Sequence, residues 1–309
     1  MRNSERPKRT ADLLAPLRYQ WAALRDLGLN QVLGLNLEMV RARAASRSVL
    51  RDGYYRLMSE RDLRTERSLE RAFVYGSGYS LNELTSDEWR RMSDHTTIGF
   101  NQFIYQEWVN VDFHLVRGWG LGAPPRELPK LVNEFGSQVA LNQRYSETVF
   151  VYQDDYSGIF AHRLLGFRGL PQGARVFPYH TNRTSQLPSR AMSEGLVHAT
   201  SVLCDAVNFA SCMGFKEIVL VGVDLYDSRY FWIDREKTVA TDDATGELVV
   251  GETSFRGQRV DEPHSTVANG IVGLMANWYE QLGNEGIKLL VYNHRSLLAD
   301  VMPVYDPMG

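Results

Sequence analysis

At 309 residues, 44% hydrophobic and 23% charged, the chain is large and apolar enough to bury one sizeable core, or one core plus an appendage. A net charge of −3 gives no global attraction for nucleic acid, which is therefore not an expected partner. Two cysteines, Cys204 and Cys212, stand eight apart in one helical pattern, which supports neither a disulfide framework nor a zinc site. No run of eighteen apolar residues occurs, and the opening MRNSERPKRTADLLAPLRY has no uninterrupted apolar core of a secretory signal, so a cytoplasmic location is expected.

Residues 1–70 read as an Arg-rich helical extension, separate from the rest of the chain. ADLLAPLRYQWAALRDLGLNQVLGLNLEMV has an apolar period near 3.6, and SERDLRTERSLER interleaves opposite charges. Such a charge run suits a solvated face; it also suits self-association into a homo-oligomer, or peripheral contact with anionic lipid on the inner face of the cell membrane. From residue 71 short apolar strands alternate with helical stretches. The expected strands are RAFVY, TTIGF, VDFHLV, TVFVYQ, ARVFPY, EIVLVGVDL and KLLVYN. Several are apolar at consecutive positions, as strands buried on both faces of a mainly parallel sheet must be, so the expected fold class is α/β. The polar stretch from Tyr226 to Pro263 is too long for a plain connector and is expected to form a lid over a site in the 71–309 domain.

Ligands of open parallel sheets bind beyond the carboxyl ends of the strands, and the residues leaving each strand are the candidates. After the first come Gly76, Ser77 and Gly78, with Ser80 and Glu83 at capping-box spacing. The glycines would let backbone approach a ligand, and the capped helix would favour an anion; an ordinary strand-to-helix turn gives the same pattern. It is not the G-x-G-x-x-G dinucleotide fingerprint. Asn101, after the second strand, offers a donor and an acceptor for a base or ribose, or a turn-forming side chain. The sixth strand leads into Asp224, Tyr226, Asp227 and Tyr230. Its two tyrosines could donate to a leaving phosphate or simply anchor the loop. After Pro263, Ser265 or Thr266 is expected to cap a helix, which places His264 at a helix amino end where a neutral, proton-accepting ring is favoured.

Together FVYGSGYSLNEL, GFNQF, ATSVLCDAVNFASCMGFKEIVLVGVDLY, HSTVANGIVGLMANWYEQL and IKLLVYNHRSLLADVMPV, in this order and spacing, resemble the bacterial sialyltransferases of glycosyltransferase family 42, typified by the Campylobacter lipooligosaccharide enzymes. The resemblance covers residues 71–305 in patches. It implies a single Rossmann-like domain of the GT-A variant kind with a lid, a CMP-activated nine-carbon sugar acid as donor, an oligosaccharide or glycolipid acceptor, inversion at the anomeric centre, and no metal or other cofactor. It further implies that His264 is the general base, that Tyr226 and Tyr230 hold the departing phosphate, and that Gly76, Ser77, Gly78, Asn101, Thr200 and Ser201 touch the nucleotide. The chain departs from the family pattern in carrying Ser77 for an asparagine and His198 for an arginine, and the family's third asparagine has no clear equivalent near VDFHLVRGWG, where Arg117 is a candidate to serve instead. The sugar acid is thus open among sialic acid, legionaminic- or pseudaminic-type nonulosonates and related keto-sugars. A looser likeness to pterin diphosphokinases and flagellin-modifying motility factors would instead have Asp224 and Asp227 hold magnesium for phosphoryl transfer. A third reading is a non-catalytic nucleotide- or glycan-binding scaffold.

Overall fold

The computed structural model describes residues 29–65, 70–117, 128–155, 158–227, 229–232, 240–241, 248–249 and 263–306. The chain opens with helix α1 (Leu29–Arg51), strand β1 (Arg56–Leu57) and helix α2 (Glu60–Thr65). It continues through β2 (Arg71–Tyr75), α3 (Ser86–Ser93), β3 (Thr96–Phe100), β4 (Phe113–Val116), α4 (Leu128–Leu141), β5 (Val149–Gln153), α5 (Ile159–Gly166) and β6 (Arg175–Tyr179). Next come the short parallel pair β7 (Thr181–Asn182) and β8 (Leu196–Val197), then α6 (Val202–Met213) and β9 (Glu217–Val221). The small antiparallel pair β10 (Ala240–Thr241) and β11 (Leu248–Val249) is followed by α7 (Ser265–Ala268), α8 (Ile271–Asn284) and β12 (Lys288–Val291).

Eight strands form one sheet in the order β1-β6-β5-β4-β3-β2-β9-β12, and every neighbouring pair is parallel. All seven strands expected from the apolar runs are in it. The reason is visible in β2: Ala72 and Val74 join a core under α6 and α8, while Phe73 and Tyr75 join another under α3, α4 and α5. With both faces covered, alternation is lost and a continuous apolar run remains. From β2 the chain works outward to β6, then returns to lay β9 on the other side of β2. The β2/β9 boundary is therefore the topological switch point, whose carboxyl edge is where an open α/β sheet accommodates a ligand.

Residues 29–65 correct the expected boundary at residue 70. They are part of the same body. Helix α1 lies on α5, where a Cβ on Gly166 would come within 2.9 Å of Ala45 Cβ and 3.0 Å of Ser46 N. Glu38 pairs with the buried Arg163. Strand β1 closes the β6 edge, Met58 and Leu63 enter the core, and Arg64 donates to the Cys212 and Met213 carbonyls at 2.7 and 3.0 Å. A cation thus meets the carbonyl-rich end of α6. The charge pattern hid this, because Arg43 and Arg64 are spent on partners in the domain while Arg41, Arg47, Arg51, Arg56 and Arg61 form the exposed face that the pattern suggested. Cys204 and Cys212 are buried free thiols, pushed up to about 11 and about 12 by burial, and so are poor nucleophiles near neutral pH. No helix among the described residues is long and apolar enough to cross a membrane.

Overfilling the close crossing of α1 and α5 tests that integration. Gly166→Leu should lower unfolding stability by about 1 to 3 kcal/mol in urea titration; an unchanged midpoint would mean that α1 is not packed on the domain.

Candidate functional site

The turn leaving β2 and the turn leaving β9 lie directly on one another. Gly76 N donates to Val221 O and Gly78 N to Gly222 O, each at 2.8 Å. A Cβ on Gly76 would stand 2.4 Å from Gly222 O, and one on Gly78 would stand 2.4 Å from Asp224 Oδ2. Gly222 itself has φ +64°, with a would-be Cβ 2.6 Å from Leu81. Gly76 is required because two backbones meet, Gly78 because Asp224 and Gly222 O fill the space of a side chain, and Gly222 by its left-handed φ and Leu81, so each has a packing reason of its own. Ser77 is buried, and its carbonyl accepts from Phe231 N at 3.1 Å, while Gly78 forms an antiparallel bridge with Tyr230. The β2 turn is thereby the support on which residues 230 and 231 are hung.

The expected Ser80–Glu83 capping box is not formed. Residues Tyr79–Glu83 make a 3-10 turn without a side-chain cap, Ser80 turns inward to Asp224, and Glu83 pairs with Arg295. The capping box is one turn later, where Thr85 and Glu88 exchange hydrogen bonds to open α3. Asp224, buried, accepts from Ser80 N at 2.9 Å, from Ser80 Oγ and from Asn293 Nδ2 at 3.1 Å. Asp227 accepts from the Arg229 backbone N at 2.9 Å and from its guanidinium, which lies 4.2 Å over the Tyr79 ring. Both carboxylates hold protein donors, and a cation placed on them would have to displace those bonds. The magnesium role considered for this pair does not fit their geometry.

Two of the residues expected to do chemistry, Tyr230 and His264, meet here, and a third, Tyr226, follows Leu225, which holds His264. Tyr226 is half-buried beneath the Arg295 guanidinium at 5.7 Å; burial, reinforced by Asp224, raises its phenol above the ordinary value and keeps it a donor. The Tyr230 ring stacks on Trp232 at 5.7 Å and meets the His264 ring edge-on at 6.3 Å. His264 is fixed by its own backbone N, which donates to Leu225 O at 2.9 Å, and it serves as the N-cap of α7. That corrects the assignment of the cap to Ser265 or Thr266. Gly270, at φ +80°, then separates α7 from α8.

The state of the His264 ring follows from its contacts. Nδ1 lies 2.9 Å from Thr266 Oγ1 and 3.3 Å from Thr266 N. The hydroxyl can accept from an Nδ1–H or donate to a bare Nδ1, whereas the backbone N–H, which makes the ring the cap, needs Nδ1 bare; a lone pair on Nε2, the atom a base needs, requires the ring to give up that backbone bond and donate to the hydroxyl instead. Burial lowers the pKa of the ring from its ordinary value, so it is neutral near pH 7.

The other expected nucleotide contacts stand at neighbouring strand ends. Asn101, at φ +51°, turns the chain out of β3. Ser201 is the N-cap of α6 and accepts from Leu203 N at 3.2 Å, with Thr200 just ahead of it. Arg117, at the end of β4, is bound to Asp205 at 2.8 Å. Sequence reasoning passed over Asp205, although a carboxylate inside the apolar run VLCDAVNFASC is itself a signal for a buried partner. Of the four non-glycine residues with left-handed backbone among those described, Asn101, Ala199 and Leu225 all lie on this carboxyl edge. Backbone strain of this sort concentrates at functional sites. Most of the expected lid, residues 233–239, 242–247 and 250–262, lies outside the described residues. Compared with protein-family models, with curated proteins and with solved structures, the chain matches none.

Removing the Asp224 carboxylate should release the two turns. Asp224→Ala leaves Ser80 N–H and Asn293 without their acceptor, and a loss of about 2 to 4 kcal/mol in urea unfolding is expected. Asp224→Asn, which keeps one acceptor oxygen, should fall between the two; wild-type stability in the alanine variant would refute the tie.

Proposed function

We propose that the protein is a metal-independent, inverting glycosyltransferase of the sialyltransferase type, with a GT-A variant of the Rossmann-like fold. It transfers a sialic-acid-type sugar from a CMP-activated donor to a hydroxyl of an oligosaccharide or glycolipid acceptor. The observation that carries this reading is the Tyr230 ring set edge-on against a neutral His264 at the switch point, with Tyr226 next in the chain to Leu225, whose carbonyl holds the His264 backbone. The ordered motifs that resemble those of the family 42 enzymes point the same way.

On this reading His264 Nε2 takes the acceptor hydroxyl proton as that oxygen attacks C2 of the sugar. The C2–O bond to phosphate breaks from the opposite face, and the electron pair leaves with CMP. The phenolic O–H groups of Tyr226 and Tyr230 donate to the phosphate oxygens as negative charge accumulates there, which is the electrostatic service that makes a poor leaving group tolerable. Thr266 acts through His264, as a positioning residue that selects the tautomer.

His264→Ala should lower transfer by about 10² to 10⁴-fold while CMP still binds, measured by product formation and by calorimetry. Unchanged transfer would remove the base from the mechanism. Because burial lowers the pKa of His264, the basic form persists further into acid than for an ordinary histidine; the rate should be flat around neutral pH and decline only below the ordinary value of about 6.5. Thr266→Val should lower kcat with little change in KM, and Thr266→Ser should restore it. Equal kcat in both would count against the tautomer assignment.

A further inference from the structure

A second polar cluster lies at the amino end of α6. Three strand spacings separate β9 from β4, roughly 14 Å along the carboxyl edge at about 4.8 Å per step. Asp205, in the first turn of α6, is fully buried with both oxygens engaged. Oδ1 accepts from Arg117 Nη1 at 2.8 Å and from Tyr179 OH at 3.1 Å, and Oδ2 meets His198 Nδ1 at 2.6 Å. An ionised carboxylate can only accept, so Nδ1 carries a proton and Nε2 is the remaining polar atom of a ring that is 26% exposed.

The charges around this ring can be counted. Arg117 is almost buried, and although burial works to lower it, Asp205 and Tyr179 hold it above its ordinary value, so it stays charged. Asp155, facing Arg117 from the end of β5, accepts from Gln153 Nε2 and Thr181 N and has Arg183 at 3.8 Å. With that pair balanced, Asp205 stands alone against Arg117 and His198. Protonation of His198 therefore gives the cluster a net positive charge, and the amino end of the twelve-residue α6 adds its own positive potential.

We infer that His198 is an anion-binding residue, its imidazolium held by Asp205 so that Nε2–H takes a carboxylate or phosphoryl group of a bound ligand at the amino end of α6. The ligand class rests on the donor reading, since a CMP-activated sugar acid carries both groups; the anion site does not.

The test is calorimetric titration of the full chain with CMP, N-acetylneuraminic acid and inorganic phosphate, on either side of the histidine titration range. Wild-type affinity for at least one of them should fall as pH rises. His198→Gln, which retains a donor toward Asp205, should bind that ligand roughly tenfold to hundredfold more weakly and without that pH dependence, the loss of one charge-assisted hydrogen bond. His198→Lys, a permanent cation, should recover binding with the pH dependence removed, which also guards against a folding defect in the glutamine variant. Loss confined to the sugar acid identifies a carboxylate subsite, and loss confined to CMP and phosphate identifies a phosphoryl subsite. His198-dependent binding of the acid or phosphate without any binding of CMP would sink the donor reading and keep the anion site. The anion site is overturned if the glutamine variant binds as the wild type does at every pH, or if the wild type binds none of the three at millimolar concentration.

Discussion

The candidate site depends on one buried carboxylate. Asp224 accepts from Ser80 twice and from Asn293, and its carbonyl takes Tyr226 N at 2.8 Å and Leu297 N at 3.3 Å. Segments that leave three different strands are thereby held at one point. Taking a carboxylate out of water is costly, and the cost is met only because its oxygens are given donors in fixed positions. The glycine at position 78 is a consequence, since any side chain there would occupy the space of the carboxylate. Tyr226, Tyr230 and His264 in turn inherit their placement from the turns Asp224 joins.

The central sheet was largely legible in the sequence because double-sided burial writes itself as consecutive apolar residues. β1 was not, since Arg56 and Leu57 are both exposed and leave no apolar trace. The caps show a different limit. Ser80-x-x-Glu83 and Thr85-x-x-Glu88 are the same local pattern, and only the presence of Asp224, far away in sequence, decides that Ser80 turns inward and Thr85 caps. At His264 the ring nitrogen competed successfully with the hydroxyls that usually cap. Position told where these side chains would lie on the sheet edge; it could not tell which hydrogen bonds they would win.

The carboxyl edge holds two polar groups built on different principles. At the β2/β9 end the chemistry-bearing groups are half-buried hydroxyl and imidazole side chains around a satisfied carboxylate. At the β4 end a buried carboxylate is shared by an arginine and a histidine, and Ala199 is held at φ +42° beside them. Asn101, just after β3, stands between the two.

The two-residue strand β1 has a practical consequence. It is the outermost strand beside β6, and it shields hydrogen-bonding groups of β6 that would otherwise offer a template to another chain. A truncated protein starting at residue 71, cut where the charge pattern changes, would therefore bare a sticky flank and a stripped α5. Any clumping of such a fragment would report on that wound, and would say nothing about how intact copies meet.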